Sequence, residues 1–152
     1  MLKAGANAPE FSLLADDGGA VTLQDLRGTP VVLYFYPKDD TPGCTKEACQ
    51  FRDSWKDVQQ AGAVVLGVSP DSVTSHQKFK QKYNLPFPLL ADVDHQVATA
   101  YGAWGEKSRY GRTYQGILRT TFLIDRDGRV ARVFENVKPE GHAAEVLAAL
   151  RE

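Results

Sequence analysis

Two short apolar runs, Val31-Val32-Leu33-Tyr34-Phe35-Tyr36 and Ala63-Val64-Val65-Leu66-Gly67-Val68, set the pattern of this chain and read as buried strands. Between them Ala48, Phe51, Trp55 and Val58 recur at alternating spacings of three and four, the period of one helix face. Thr41-Pro42 supplies an N-cap followed by proline at the first helical position, where its missing N–H costs nothing. Gly62 closes the stretch. The pattern predicts a helix from Pro42 to Gln60, and a βαβ unit implies that the two strands are parallel.

Upstream, Phe11 to Leu26 reads as two short strands around Asp16-Asp17-Gly18-Gly19, with a helical turn at Leu23 to Leu26 before Gly28. Downstream, Asp71 or Ser72 caps a helix to Tyr83, Leu89 to Ala91 adds a strand, and Asp94 to Tyr101 forms a short helix ended by Gly102. The segment Ala103 to Gly116 carries Trp104, Tyr110 and Tyr114 among glycines and cations and is expected as a long surface loop. Thr120 to Ile124 and Val130 to Phe134 flank Asp125-Arg126-Asp127-Gly128 as a hairpin, and Glu140 to Leu150 is a closing helix. The order gives an α/β protein of thioredoxin-like plan: a central mixed β-sheet flanked by helices, with an N-terminal β-hairpin. Residues 1–152 are expected to form one domain, because no linker, repeat or low-complexity tract interrupts them.

The chemistry sits where the first long helix begins. Cys44 is its third residue, in the turn whose N–H groups lack intrahelical acceptors and where the helix dipole adds positive charge. Thiols so placed titrate at about 3.5 to 7.5 against a free value of about 8.5. Asp39 and Asp40 lie just upstream and oppose the thiolate if their carboxylates turn toward it. Cys49, the only other cysteine, lies off the apolar stripe that Cys44 extends. On a regular helix the two Cα atoms stand on the order of 8 to 9 Å apart, whereas a disulfide needs about 4.4 to 6.8 Å. Bonding between them therefore requires the first turns to unwind.

Composition narrows the field. Eighteen Lys and Arg against nineteen Asp and Glu give a formal charge of −1, which argues against nucleic acid or an anionic membrane as the main partner. Neither a signal-peptide core nor a membrane-length apolar run is present, so a cytoplasmic location is expected. Two cysteines in a reducing compartment suit a transient or catalytic bond better than a structural staple. His76, His95 and His142 lack metal-ligand spacing and are expected as solvated or capping residues. Lys78, Lys80 and Lys82 read as a solvated helix face, and Trp55 as core packing.

Pro37-x-x-x-Thr41-x-x-Cys44 resembles the active-site motif of the peroxiredoxins, and Tyr36 through Cys49 is similar to the branch that includes bacterioferritin comigratory protein, or PrxQ. The likeness extends through Gly67 to Ser72, Tyr83 to Leu90, Gly102 to Lys107 and Arg119 to Asp125, nearly the whole chain. It implies a thiol peroxidase acting on hydrogen peroxide and organic hydroperoxides, with Cys44 as peroxidatic nucleophile and Cys49 as resolving thiol. By the same resemblance Thr41 and Arg119 serve the reacting oxygens, Pro37 shields the sulfur and Glu47 orients the arginine. It further implies recycling by thioredoxin or glutaredoxin, no cofactor or metal, and a monomer. Two other classes remain open on residues alone. One is a thiol–disulfide oxidoreductase or redox sensor without peroxide turnover, and the other is a non-catalytic binding module.

Overall fold

The computed structural model describes all 152 residues. Its order is β1 (Ser12–Ala15), β2 (Ala20–Thr22), a 3₁₀ turn at Leu23–Leu26, β3 (Val31–Phe35), α1 (Pro42–Asp53), α2 (Trp55–Gln60), β4 (Val64–Ser69), α3 (Val73–Tyr83), β5 (Leu89–Ala91), α4 (Gln96–Tyr101), β6 (Trp104–Arg109), β7 (Arg112–Ile117), β8 (Thr120–Ile124), β9 (Val130–Phe134) and α5 (His142–Leu150). Seven strands form one mixed sheet in the order β2-β1-β5-β4-β3-β8-β9, with β3, β4 and β5 parallel and the remaining pairings antiparallel. This is the thioredoxin-like plan with its N-terminal hairpin.

The apolar runs are continuous because the central strands are covered on both faces. Val32 and Tyr34 of β3, and Tyr36 just past its end, join a core shared with Cys44, Ala48 and Phe51 of α1 and Val146 and Leu147 of α5. Val31, Leu33 and Phe35 alternate to the opposite core, with Tyr101 of α4 and Phe122 of β8. Tyr34 stacks on Phe51 with ring centroids 5.0 Å apart, fastening the strand to the helix that carries Cys44. The ring needs Gly67 behind it, since a Cβ there would lie 2.9 Å from the Tyr34 Cζ and Oη atoms.

Two elements differ from expectation. The helix from Pro42 to Gln60 is broken at Ser54, whose φ of −96° and ψ of 7° leave the α region. The Ser54 side chain makes no capping bond there, and Phe51, half-buried Trp55 and buried Val58 keep the apolar period running across the break. Ala103 to Gly116 is not a loop. It folds into the separate β6–β7 hairpin, turned by Tyr110 and Gly111 at φ 52° and 75°. Both central residues of a two-residue I′ turn need positive φ, and Tyr-Gly is an unusual pair to supply it.

Candidate active site

The start of α1 brings the predicted site residues together. Thr41 occupies the N-cap position with extended φ and ψ of −103° and 154°, Pro42 begins the helix, and Cys44 follows, 1% exposed. The capping expectation needs one correction. The Thr41 hydroxyl makes no cap bond and instead donates to the Lys38 carbonyl at 2.8 Å, while the Thr41 carbonyl accepts from Thr45 N–H at 2.8 Å. Pro37 lies two residues beyond the end of β3 and is half-buried.

Arg119 reaches the sulfur across the sheet. It stands one residue before Thr120, which pairs with Phe35, so the β3–β8 register brings it to the end of β3 that leads into the Cys44 loop. Its Nη2 donates to Cys44 Sγ at 3.1 Å and its Nη1 to Glu47 Oε1 at 2.8 Å. One planar fork thus spans a helical turn, which a lysine cannot do. Gly43 lies beneath it, because a Cβ there would come within 3.4 Å of Arg119 Nη2 and of Pro139 Cγ. The Val137 N–H donates to the Arg119 carbonyl at 3.1 Å and fixes the backbone. Beside this turn lies a depression of about 530 Å³ lined by Pro42, Gly43, Lys46, Lys138, Pro139 and Glu140.

The electrostatics follow from burial. Glu47 is 1% exposed and its second oxygen, Oε2, has no partner. Burial pushes its carboxyl up from an ordinary 4.5 to about 7, although the Arg119 guanidinium pulls the other way. Burial works against the Arg119 charge, but the neighbouring Glu47 and Cys44 outweigh it and raise Arg119 above its ordinary value. Tyr34 is held well above the usual tyrosine range by burial and by the charges of Glu47 and Cys44, and its hydroxyl is likewise unpartnered. Lys107 on β6 is lowered by burial and by the Arg119 charge, against the pull of Cys44.

The two upstream carboxylates turn away from the sulfur. Asp39 is bonded to Tyr36, Ser75 and His76, and Asp40 to Lys82 and Tyr83. Cys49 is half-buried on the same unbroken helix, and both thiols are free. Burial and Asp53 raise the Cys49 thiol above its ordinary value against the pull of Arg52.

Histidine and lysine expectations need correction. His76 and His142 are 0% and 2% exposed, bonded to Asp39 and to Thr121 and Glu145 respectively, and His95 stacks on Trp104 with centroids 3.7 Å apart. Each sits where its helix meets the sheet or the hairpin, a placement that local spacing does not encode. Lys80 and Lys82 are not merely solvated, since they pair with Asp16 and Asp40 at 3.0 and 2.7 Å. No group of three or more His, Cys, Asp or Glu side chains is placed to hold a metal ion, and no helix is long and apolar enough to cross a membrane.

A thioredoxin-like sheet that delivers an arginine to a thiol at a helix start defines a thiol-based redox protein, and comparison with known proteins narrows the class. The AhpC/TSA family profile matches residues 4–133. A putative peroxiredoxin bcp of Coxiella burnetii is 56% identical over 149 residues, covering 98% of this chain and 99% of that protein. Peroxiredoxin Bcp of Bacillus subtilis is 49% identical over 151 residues, covering 99% and 96%. A solved structure of the Xanthomonas campestris bacterioferritin comigratory protein, concerned with that protein's alkyl peroxide reduction activity, superposes with a TM-score of 0.92 at 41% identity and 97% coverage of both chains. The chain belongs to the AhpC/TSA family, in its Bcp/PrxQ branch of peroxiredoxins, thiol-dependent peroxidases that act on peroxides and are reduced by thiol proteins.

Proposed function

We propose that Cys44 reduces hydrogen peroxide and organic hydroperoxides and that Cys49 resolves the oxidised product. The 3.1 Å bond from Arg119 to the Cys44 sulfur at the start of α1 carries this reading. The guanidinium and the helix N-terminus are both aimed at the sulfur, and the same donors suit the negative charge that develops on a departing oxygen. Sγ attacks one peroxide oxygen: an S–O bond forms as the O–O bond breaks. Sulfur is oxidised to the sulfenic acid, and the departing hydroxide or alkoxide takes a proton from solvent and leaves as water or an alcohol. Thr41, its own proton held by Lys38, offers a lone pair to the peroxide O–H. Pro37, with its locked φ, fixes the loop and shields the sulfur.

The Cys49 sulfur then attacks the sulfenic sulfur, forming the disulfide and expelling water. α1 must unwind locally for this, releasing the Gly141 N–H from Gln50 Oε1 at 3.0 Å and the Arg119 fork from Glu47. A dithiol protein of the thioredoxin or glutaredoxin class reduces the disulfide. Residues 1–152 act in this cycle as one domain and a monomer, in the cytoplasm, and the scheme draws on no metal, haem or flavin. Steady-state peroxide consumption coupled to a thioredoxin system tests the reading. Disulfide exchange with thioredoxin in the absence of peroxide turnover would refute it in favour of an oxidoreductase.

Cys49→Ser separates the two steps. The first oxidation stays within about twofold of the parent, because that thiol is not bonded to the reacting sulfur, while thioredoxin-coupled turnover is lost. By mass spectrometry the variant gains one oxygen after peroxide, whereas the parent chain loses two hydrogens. A parent chain that also keeps the oxygen contradicts the resolving role.

Glu47 makes the site sensitive to pH. Its carboxylate orients Arg119 only when ionised, so peroxide reactivity should fall as pH drops through about 7. Glu47→Gln should erase that dependence, its rate deficit growing to about tenfold by pH 8 and vanishing near pH 5.5. Stability runs the opposite way. A folded-state value raised above 4.5 contributes stability that is full below 4.5 and lost as pH rises through about 7. Denaturant midpoints should therefore show Glu47→Gln gaining on the parent as pH rises. Parallel midpoint curves for the two proteins contradict the assignment.

A further inference from the structure

We infer that His76 is a positioning residue for the peroxidatic loop: from α3 it holds Asp39, and through Asp39 the segment 37–41 on which the Cys44 helix starts. The inference rests on the peroxidase reading above and adds a residue to it that lies outside the Pro37, Thr41, Cys44 and Arg119 set.

The ring of His76 is fully buried and bridges two elements. Nδ1 lies 2.7 Å from Asp39 Oδ2, and Nε2 lies 3.0 Å from the carbonyl of Leu90 on β5. The imidazole therefore ties the loop to the sheet through one rigid plane. Asp39 is itself almost completely enclosed, at 7% exposure. It accepts from the Tyr36 hydroxyl at 2.6 Å and from the Ser75 hydroxyl at 2.8 Å, and its N–H donates to Asp71 Oδ2 at 2.8 Å. Asp71 is in turn held by the Ser69 hydroxyl at 2.7 Å. A proton shared between Oδ2 and Nδ1 lets all these polar atoms be satisfied at once, the condition under which a buried network rigidifies its surroundings.

The next residue shows what the network holds. Asp40 has a left-handed φ of 56°, an unfavourable conformation for a residue other than glycine, and its carboxylate is pinned by Lys82 at 2.7 Å and Tyr83 at 2.8 Å. The loop is thus pegged to α3 at two successive residues, one of them strained, immediately before Thr41. Backbone strain of this kind persists only where the surroundings over-determine it. A small shift of Asp39 would carry Thr41 and the first turn of α1 with it, away from the fixed guanidinium of Arg119. Displacements on the order of 1 Å at a reacting centre are enough to slow a reaction by up to about 10²-fold.

Two nearly isosteric variants separate positioning from bulk stability. The amide nitrogen of asparagine falls where Nδ1 lies and keeps the donor to Asp39, while that of glutamine falls near Nε2 and keeps only the donor to Leu90. Single-turnover oxidation of Cys44 by hydrogen peroxide, followed by tryptophan fluorescence, should be about tenfold slower in His76→Gln and within about twofold of the parent in His76→Asn. Melting temperatures of the two variants should fall alike, each having lost one buried bond. Thioredoxin reduction of the preformed disulfide, in which the helix start is already open, should be unchanged in both. Oxidation of His76→Gln at the parent rate, or an equal slowing of both variants, overturns the inference. A parent chain inert to peroxide overturns the peroxidase reading itself, a separate outcome. If the buried substitutions fail to fold, half-buried Ser75→Ala removes one donor to Asp39 and should slow oxidation about threefold. A parent-like rate there is equally decisive against the proposal.

Discussion

Cys44→Ser should lose peroxide turnover down to the uncatalysed background, a fall of at least about 10⁴-fold, or about 5.5 kcal/mol of transition-state stabilisation. Serine nearly matches cysteine in volume and its hydroxyl can accept the Arg119 Nη2 donor that now meets the sulfur at 3.1 Å, so the fold should change in stability by no more than about 1 kcal/mol. The alkoxide, however, is not accessible as the thiolate is, and no neighbouring base activates the hydroxyl. Asp39 and Asp40 are committed to α3. The measurement is peroxide consumption at saturating reductant, with circular dichroism to confirm folding. A folded Cys44→Ser protein that consumes peroxide at the parent rate would remove the sulfur from the chemistry.

Sequence pattern reveals the part of the site built by local physics. Thr41-Pro42 marks the helix start, and three-and-four spacing from Cys44 through Phe51 marks its buried face, because both signals lie within a few turns of one element. The arginine is harder to read. Nothing local about Arg119 distinguishes it from an edge cation; the Phe35–Thr120 register delivers it, and a likeness spanning both segments is what connects them. The β6–β7 hairpin escapes detection for a different reason. Most of its side chains face solvent on both sides, so alternation of apolar and polar residues is absent, and its positive-φ turn uses tyrosine instead of asparagine. His76 shows the same limit at a single residue. A histidine among lysines on α3 looks solvated until the helix docks and presents it to Asp39 and Leu90 together.

Arg119→Met should lower kcat/KM for peroxide by about 10² to 10³, the usual loss when one donor to a developing oxyanion is removed. Part of any loss has to be separated from damage to Glu47, which is 1% exposed and has Arg119 as its one hydrogen-bond partner. Without the guanidinium nothing opposes the burial that already raises this carboxyl, so Glu47 must take up a proton to stay buried, at a cost in stability that grows with pH. The double variant Arg119→Met with Glu47→Gln should accordingly regain most of the denaturant stability lost in the single variant while staying just as slow. Arg119→Lys gives an intermediate rate, because an ammonium keeps the charge yet cannot reach Cys44 and Glu47 with the fixed spacing of one fork. A double variant that recovers activity along with stability would mean that Arg119 serves only to neutralise a buried carboxylate. Persistent slowness in a restored fold places its effect on the oxygen that leaves.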